Sequence, residues 1–141
     1  VQGSGNPSGG SDMIRRLALS VCLAGLLAGS ALAHHNMSAL FDFSQRFTTS
    51  GTLSKVDWRN PHIYLFVDVK NEKGQMETWS FEGPSPGFFR QRDVGKENFE
   101  ASMQKSVKVE ASRARDGSRS GLIREVTLAD GRLVSLCPQN C

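Results

Sequence analysis

The sequence predicts an all-β domain with one short helix, built as a small antiparallel barrel of five to six strands. Three observations carry that expectation. Runs rich in Val, Ile, Phe, Trp and Thr are short, and Gly, Asn-Pro and Asp-Gly break them into strand-sized pieces. The order along the chain is three strands, a helix, then more strands. The first strand is long and changes its apolar parity part-way, the mark of a bend.

The elements follow in turn. Residues 47–58 form the first strand, and the parity switch between Leu53 and Val56 places a bulge near Ser54 and Lys55. Arg59, Asn60 and Pro61 turn the chain into a second strand over 62–70, and a third covers 75–83. Glu72, Lys73 and Gly74 make a three-residue hairpin loop with Gly74 in the left-handed position. Asn71 then pairs with Gln75, Leu65 faces Phe81, and Val67 faces Trp79. A one-residue slip would set Ser80 against Leu65, so the apolar pattern selects this register. The opposite side carries His62, Tyr64, Phe66, Ser80 and Glu82, with Tyr64 across from Glu82 and His62 diagonal to it. Ser85 and Pro86 open the short helix, Phe88 and Phe89 plug one end of the core, and Gly95 ends the helix. Residues 106–114 alternate as a half-buried strand, and 122–136 form two short strands around Asp130-Gly131. This order is that of an OB-like Greek-key barrel, with the last hairpin as an extension. A generic antiparallel sandwich is the alternative.

The chain start reads as a leader. Residues 1–12 are Gly/Ser-rich and are expected to be non-native or a mis-assigned start. Residues 13–33 have the layout of a secretory signal peptide: a basic Met-Ile-Arg-Arg segment, a short apolar run, then Ala31 and Ala33 before His34. The apolar run is shorter than the roughly 20 residues of a spanning helix. The expected mature protein, 34–141, is an N-terminal arm (34–46), a barrel (47–136) and a terminal loop. It is read as periplasmic or secreted, a monomer, with no membrane span. Cys137 and Cys141 are expected to pair as a disulfide in that oxidising setting. The formal charge of the whole chain is only +3, which gives no reason to expect a nucleic-acid partner.

Two constellations suggest binding. With cleavage after Ala33, the α-amine of His34 has an ordinary pKa of about 7.7–8.0 and yields to a competing metal. Amine and ring nitrogen then chelate, and a third nitrogen from His35 or His62 completes a tetragonal copper(II) site. With cleavage after Ala31, the histidine stands third, another square-planar chelate. The alternative is an arm with incidental histidines. The second constellation is the face of His62, Tyr64 and Glu82, with Trp58, Asn60 and the 83–87 loop beside it. It suits a small polar molecule or a glycan. Its plainer reading has Trp58 in the core, Asn60-Pro61 as a turn, and His62 opening a strand. Acid/base chemistry at His62 and Glu82 is the less favoured option. The nearby nucleophiles, Ser80 and Ser85, lie in no nucleophile turn. Arg113, Arg115, Arg119 and Arg124 read as a solvated hairpin tip, with an anion site as the alternative.

Three stretches carry a family resemblance: His34-His35 with Phe41-Asp42, the Trp58-Arg59-Asn60-Pro61-His62 motif, and Trp79-Ser80-Phe81-Glu82-Gly83 running on to Pro86. Over roughly residues 33–134 the chain resembles a family of small exported bacterial proteins classed as a domain of unknown function. The resemblance implies an exported β-rich domain and no particular activity. A Gly-Trp pair follows the short helix in that family, and Arg92–Phe99 replaces it here. In architecture the chain is also similar to periplasmic OB-fold copper/silver chaperones. Trp58, His62, Met76 and Trp79 match their ligand types, though not their spacing. The expectation is therefore a non-enzymatic exported binding protein with copper as its ligand. A small-molecule or glycan module and an envelope structural protein are the alternatives.

Overall fold

A computed structural model describes residues 37–136. The leader, His34, His35, and the pair Cys137 and Cys141 lie outside the described residues. Among the described residues, after a helical stretch at 37–40, come β1 (Phe41–Asp57), β2 (Tyr64–Lys70), β3 (Met76–Glu82), α1 (Pro86–Arg90), α2 (Lys96–Glu100), β4 (Ser106–Ala114), β5 (Ser120–Thr127) and β6 (Leu133–Ser135). No helix among the described residues is long and apolar enough to cross a membrane.

The sheet runs β3-β2-β1-β4-β5-β6, and a parallel β3–β5 pairing joins its two sides. Five strands thus form a ring of hydrogen bonds, antiparallel except at the β3–β5 seam, and β6 is appended to β5. This is the small all-β barrel the sequence predicts. The long first strand makes it possible. Its outer half, from Phe41 to Thr52, pairs with β4, and its inner half, from Thr52 to Asp57, pairs with β2. The register shift between Leu53 and Lys55 bends it from one partner to the other.

The β2–β3 register is the predicted one, with Leu65 opposite Phe81, Val67 opposite Trp79, and Tyr64 opposite Glu82. The loop fixes it. Gly74 has φ of 78°, its N–H donates to the Asn71 carbonyl, and the Asn71 N–H donates to the Gln75 carbonyl. Gly131, at φ of 85°, serves the β5–β6 turn in the same way. Inside the ring, Leu53, Leu65, Val67, Phe81, Val109, Ala111 and Val126 are fully shielded from solvent. Each large aliphatic side chain there contributes about 1.5–3 kcal/mol by leaving water.

Three expectations need correction. The range read as an arm is ordered into structure earlier than expected. Residues 37–40 are helical, and β1 starts at Phe41, which is buried opposite Ala114. Polar Asp42, Ser44, Gln45 and Arg46 hid this, because a register shift between Asp42 and Arg46 lets them project outward. Between β3 and β4 there are two helices, where the sequence suggests one. Helix α1 ends at Arg90, and Gly95 starts α2 instead of closing α1. The Gly95 N–H donates to the Asn98 side chain at 2.8 Å, so the glycine works as an N-cap. Finally, Ser85 precedes α1 as expected, but its side chain makes no capping bond. Its carbonyl accepts from the Phe88 N–H.

Candidate functional site

The β1–β2 turn and the β2–β3 ladder build the site together. The Asn60–Pro61 peptide is cis, and the chain then rejoins the sheet at Ile63. Ile63 donates to the Pro84 carbonyl at 3.2 Å and accepts from the Gly83 N–H at 2.9 Å. Those two bonds extend the hairpin ladder one step past β2 and β3. They fix His62 at the end of the sheet, diagonal to Glu82.

There the predicted trio meets. The Nδ1–H of His62 donates to Oε1 of Glu82 at 2.5 Å. Tyr64 lies across the ladder from the same carboxylate, and burial, then the Glu82 charge, hold its pKa above the ordinary tyrosine value. Arg59 opposes this rise. Glu82 is only 9% exposed, a buried carboxylate whose Oε1 is paired with the His62 ring. The His62 side chain remains 35% exposed. With Nδ1 engaged by the carboxylate, Nε2 is the ring atom left to accept a proton or a metal. Sequence reasoning missed the next pair out. Asp57 lies opposite Tyr64 in the β1–β2 register and forms an ion pair of 3.1 Å with Arg59. The alternation of charges at 57 and 59 was its only signal.

Other predicted site residues go elsewhere. Trp58 packs its ring on Phe89 and Phe99, with centroids 5.2 and 5.4 Å apart, so it belongs to the helical plug. Asn60 is exposed in the turn. Met76 pairs with Lys70 at the far end of the hairpin, six positions from Glu82 and thus about 20 Å along the strand. Trp79 stacks with Phe81 and packs tilted against Phe47. The residue types shared with copper/silver chaperones are therefore not gathered in one place. Among the described residues, no group of three or more His, Cys, Asp or Glu stands close enough to hold a metal. His34 and His35 lie outside them.

The arginines disperse as well. Arg113 lies over Phe47 and Trp79, Arg115 pairs with Asp42 at 3.5 Å, and Arg119 pairs with Glu77 at 3.0 Å. Arg124 is buried, donates to the Ser112 hydroxyl, and faces Glu110 at 3.8 Å. Burial, then the charge of Arg46, lowers its pKa, and Glu110 acts against them. Partners on the protein engage each of these cations, which leaves no concentrated anion site at the hairpin tip.

One cavity adjoins the trio. It is a half-open cleft of about 500 Å³ beside the β3–β5 seam, with Glu82 in its wall. Leu40, Phe41 and Ala114 supply an apolar side, and Arg115, Asp116, Ser118 and Ser120 a polar one. The Arg115 N–H donates to the Leu40 carbonyl, and its guanidinium donates to the Ser38 carbonyl. Together these bonds tie the β4–β5 loop to the start of β1. No stretch of sequence could announce this cavity, because ring closure assembles it from residues some forty positions apart.

Comparison with known proteins places the chain in a family. A family model matches residues 22–124, and the chain belongs to that family of unknown function, DUF6152. Neither a curated protein nor a solved structure matches it.

Proposed function

We propose that this member of the family is an exported, non-enzymatic binding protein that takes copper through His34, His35 and His62. The observation that carries the reading is the bond from His62 Nδ1 to the buried Glu82 carboxylate. A ligating histidine characteristically gives its second N–H to a carboxylate, which fixes the tautomer and the ring orientation. Glu82 accepts that N–H from His62, with Tyr64 opposite it across the β2–β3 ladder. The α-amine and ring of His34, with His35, supply the remaining nitrogens in a set suited to copper(II).

The test is a copper(II) titration of the exported protein. Replacing His34 and His35 together abolishes tight binding while the barrel stays folded. His62→Phe weakens binding without removing it. Unchanged affinity in the double variant refutes the site.

A second reading has its own support. The trio with the 83–87 loop forms a face for a small polar molecule or glycan, and the cavity beside Glu82 favours it. That reading predicts stabilisation by a ligand which chelators do not remove.

A further inference from the structure

The cavity under the β4–β5 loop has a chemistry separate from the exposed nitrogen of His62. Its volume of about 500 Å³ falls within the range of small-molecule sites, about 300–1,000 Å³. One side is apolar: Phe41 and Ala114 are buried, and Leu40 is 48% exposed at the mouth. The other side carries two carboxylates, Glu82 and Asp116, and one cation, Arg115. That cation is already committed to Asp42 and to the Ser38 carbonyl. Asp116 accepts the Ser118 N–H at 2.9 Å, and this bond keeps its carboxyl below the ordinary range, hence ionised. Glu82 is bonded at Oε1 to His62, and among the described residues no arginine or lysine pairs with Glu82 or Asp116, so the charge of the wall leans negative. Glu82 is the most deeply placed of these groups, and a charge held so far from water favours a charged partner over a neutral one.

We propose that this cavity binds a small organic ammonium ion, with its charged head toward Glu82 and Asp116 and its apolar body against Leu40, Phe41 and Ala114. An anion meets two carboxylates and an arginine already paired. A bare metal ion finds an apolar wall and no third ligand among the described residues. A neutral alcohol of the same length gains the apolar contact but brings no charge to the two carboxylates. The proposal does not depend on copper binding.

The experiment titrates the full chain, in the presence of a metal chelator, with hexylammonium, hexanol and hexanoate. The readouts are Tm and the amide NMR shifts of residues 114–120. Hexylammonium raises Tm and saturates, and the other two probes do not. Asp116→Asn keeps an oxygen for the Ser118 N–H, sits on an exposed loop, and weakens hexylammonium by about two- to fivefold, the value of a solvent-exposed ion pair. Glu82→Gln weakens it at least as much. Equal binding of hexanol, tighter binding of hexanoate, no saturable response, or full affinity in Asp116→Asn each overturns the proposal. Copper(II) titration of Asp116→Asn, expected to match the native protein, separates this outcome from failure of the copper reading.

Discussion

Truncating Phe89 removes the stopper of the barrel. The ring is fully buried and lies 5.2 Å from Trp58, 5.5 Å from Phe99 and 5.8 Å from Phe88, centroid to centroid. Phe89→Ala loses the transfer free energy of a buried aromatic and leaves a cavity, together about 3–5 kcal/mol. Within that sum, each aromatic pair accounts for about 0.5–1.5 kcal/mol. Two of the three neighbours are themselves held by α1 and α2, so the site collapses poorly and the upper half of the range applies. A domain of this size has a total stability of about 5–15 kcal/mol, so the variant lies near the edge of folding. Its Tm falls by about 15–30 °C on the usual scale for a 100-residue domain. The assay is urea denaturation followed by far-UV circular dichroism, with the slope m compared to the native protein. Phe88→Ala is the control. That ring is half-buried under the Arg92 guanidinium, and its loss costs less than half as much. A Phe89→Ala loss below about 1 kcal/mol, or equal losses at 88 and 89, refutes the plug. The effect reaches the site too, because Trp58 starts the turn that carries His62.

Further outcomes follow from the same geometry. Tyr64 is the chain's single tyrosine, so tyrosinate absorbance reads it alone. Its midpoint lies above the ordinary value of about 10 and falls in Glu82→Gln, which removes the nearby negative charge; an unmoved midpoint contradicts the contact. Because the folded value is the raised one, stability is complete below the unfolded value and declines as the pH climbs through the folded value. On the acid side, hydrogen bonds hold Asp42, Glu77 and Asp116 below the ordinary carboxylate range. Their contribution is complete above about pH 4 and is lost as the pH falls through their lowered values, measurable by urea unfolding across pH. Gly51→Ala drives a methyl into the Asp68 carbonyl and the Val67 side chain, so it costs at least about 1–3 kcal/mol and loosens β1 from β2. Hydrogen exchange at Val67 and Asp68 checks this, and native protection would contradict it.

Much of this molecule is legible from local chemistry. Asn71 and Gly74 specify the hairpin loop, the alternation of Leu65 and Val67 against Trp79 and Phe81 picks one register, and that register alone places Tyr64 opposite Glu82. The bulge beside Ser54 shows as a parity switch. What stays hidden depends on contacts remote in sequence. Gly95 is equally suited to ending a helix and to starting one, and only the Asn98 side chain decides. The outward run from Asp42 to Arg46 looks like loop until Phe41 docks on Ala114. Trp58 belongs to the plug because Phe99, on a helix the sequence did not reveal, stands beside it. The cavity requires β3 and β5 to meet, a parallel seam between segments with no shared local signal.

The proposed copper site joins His62, oriented by Glu82, to His34 and His35. Native mass spectrometry of the protein exported from a copper-supplemented host tests it most directly, since one spectrum reads the mature start and any bound metal. The expected spectrum shows a chain beginning at His34 that carries one copper, which His62→Phe retains less well. A metal-free chain with that same start contradicts it.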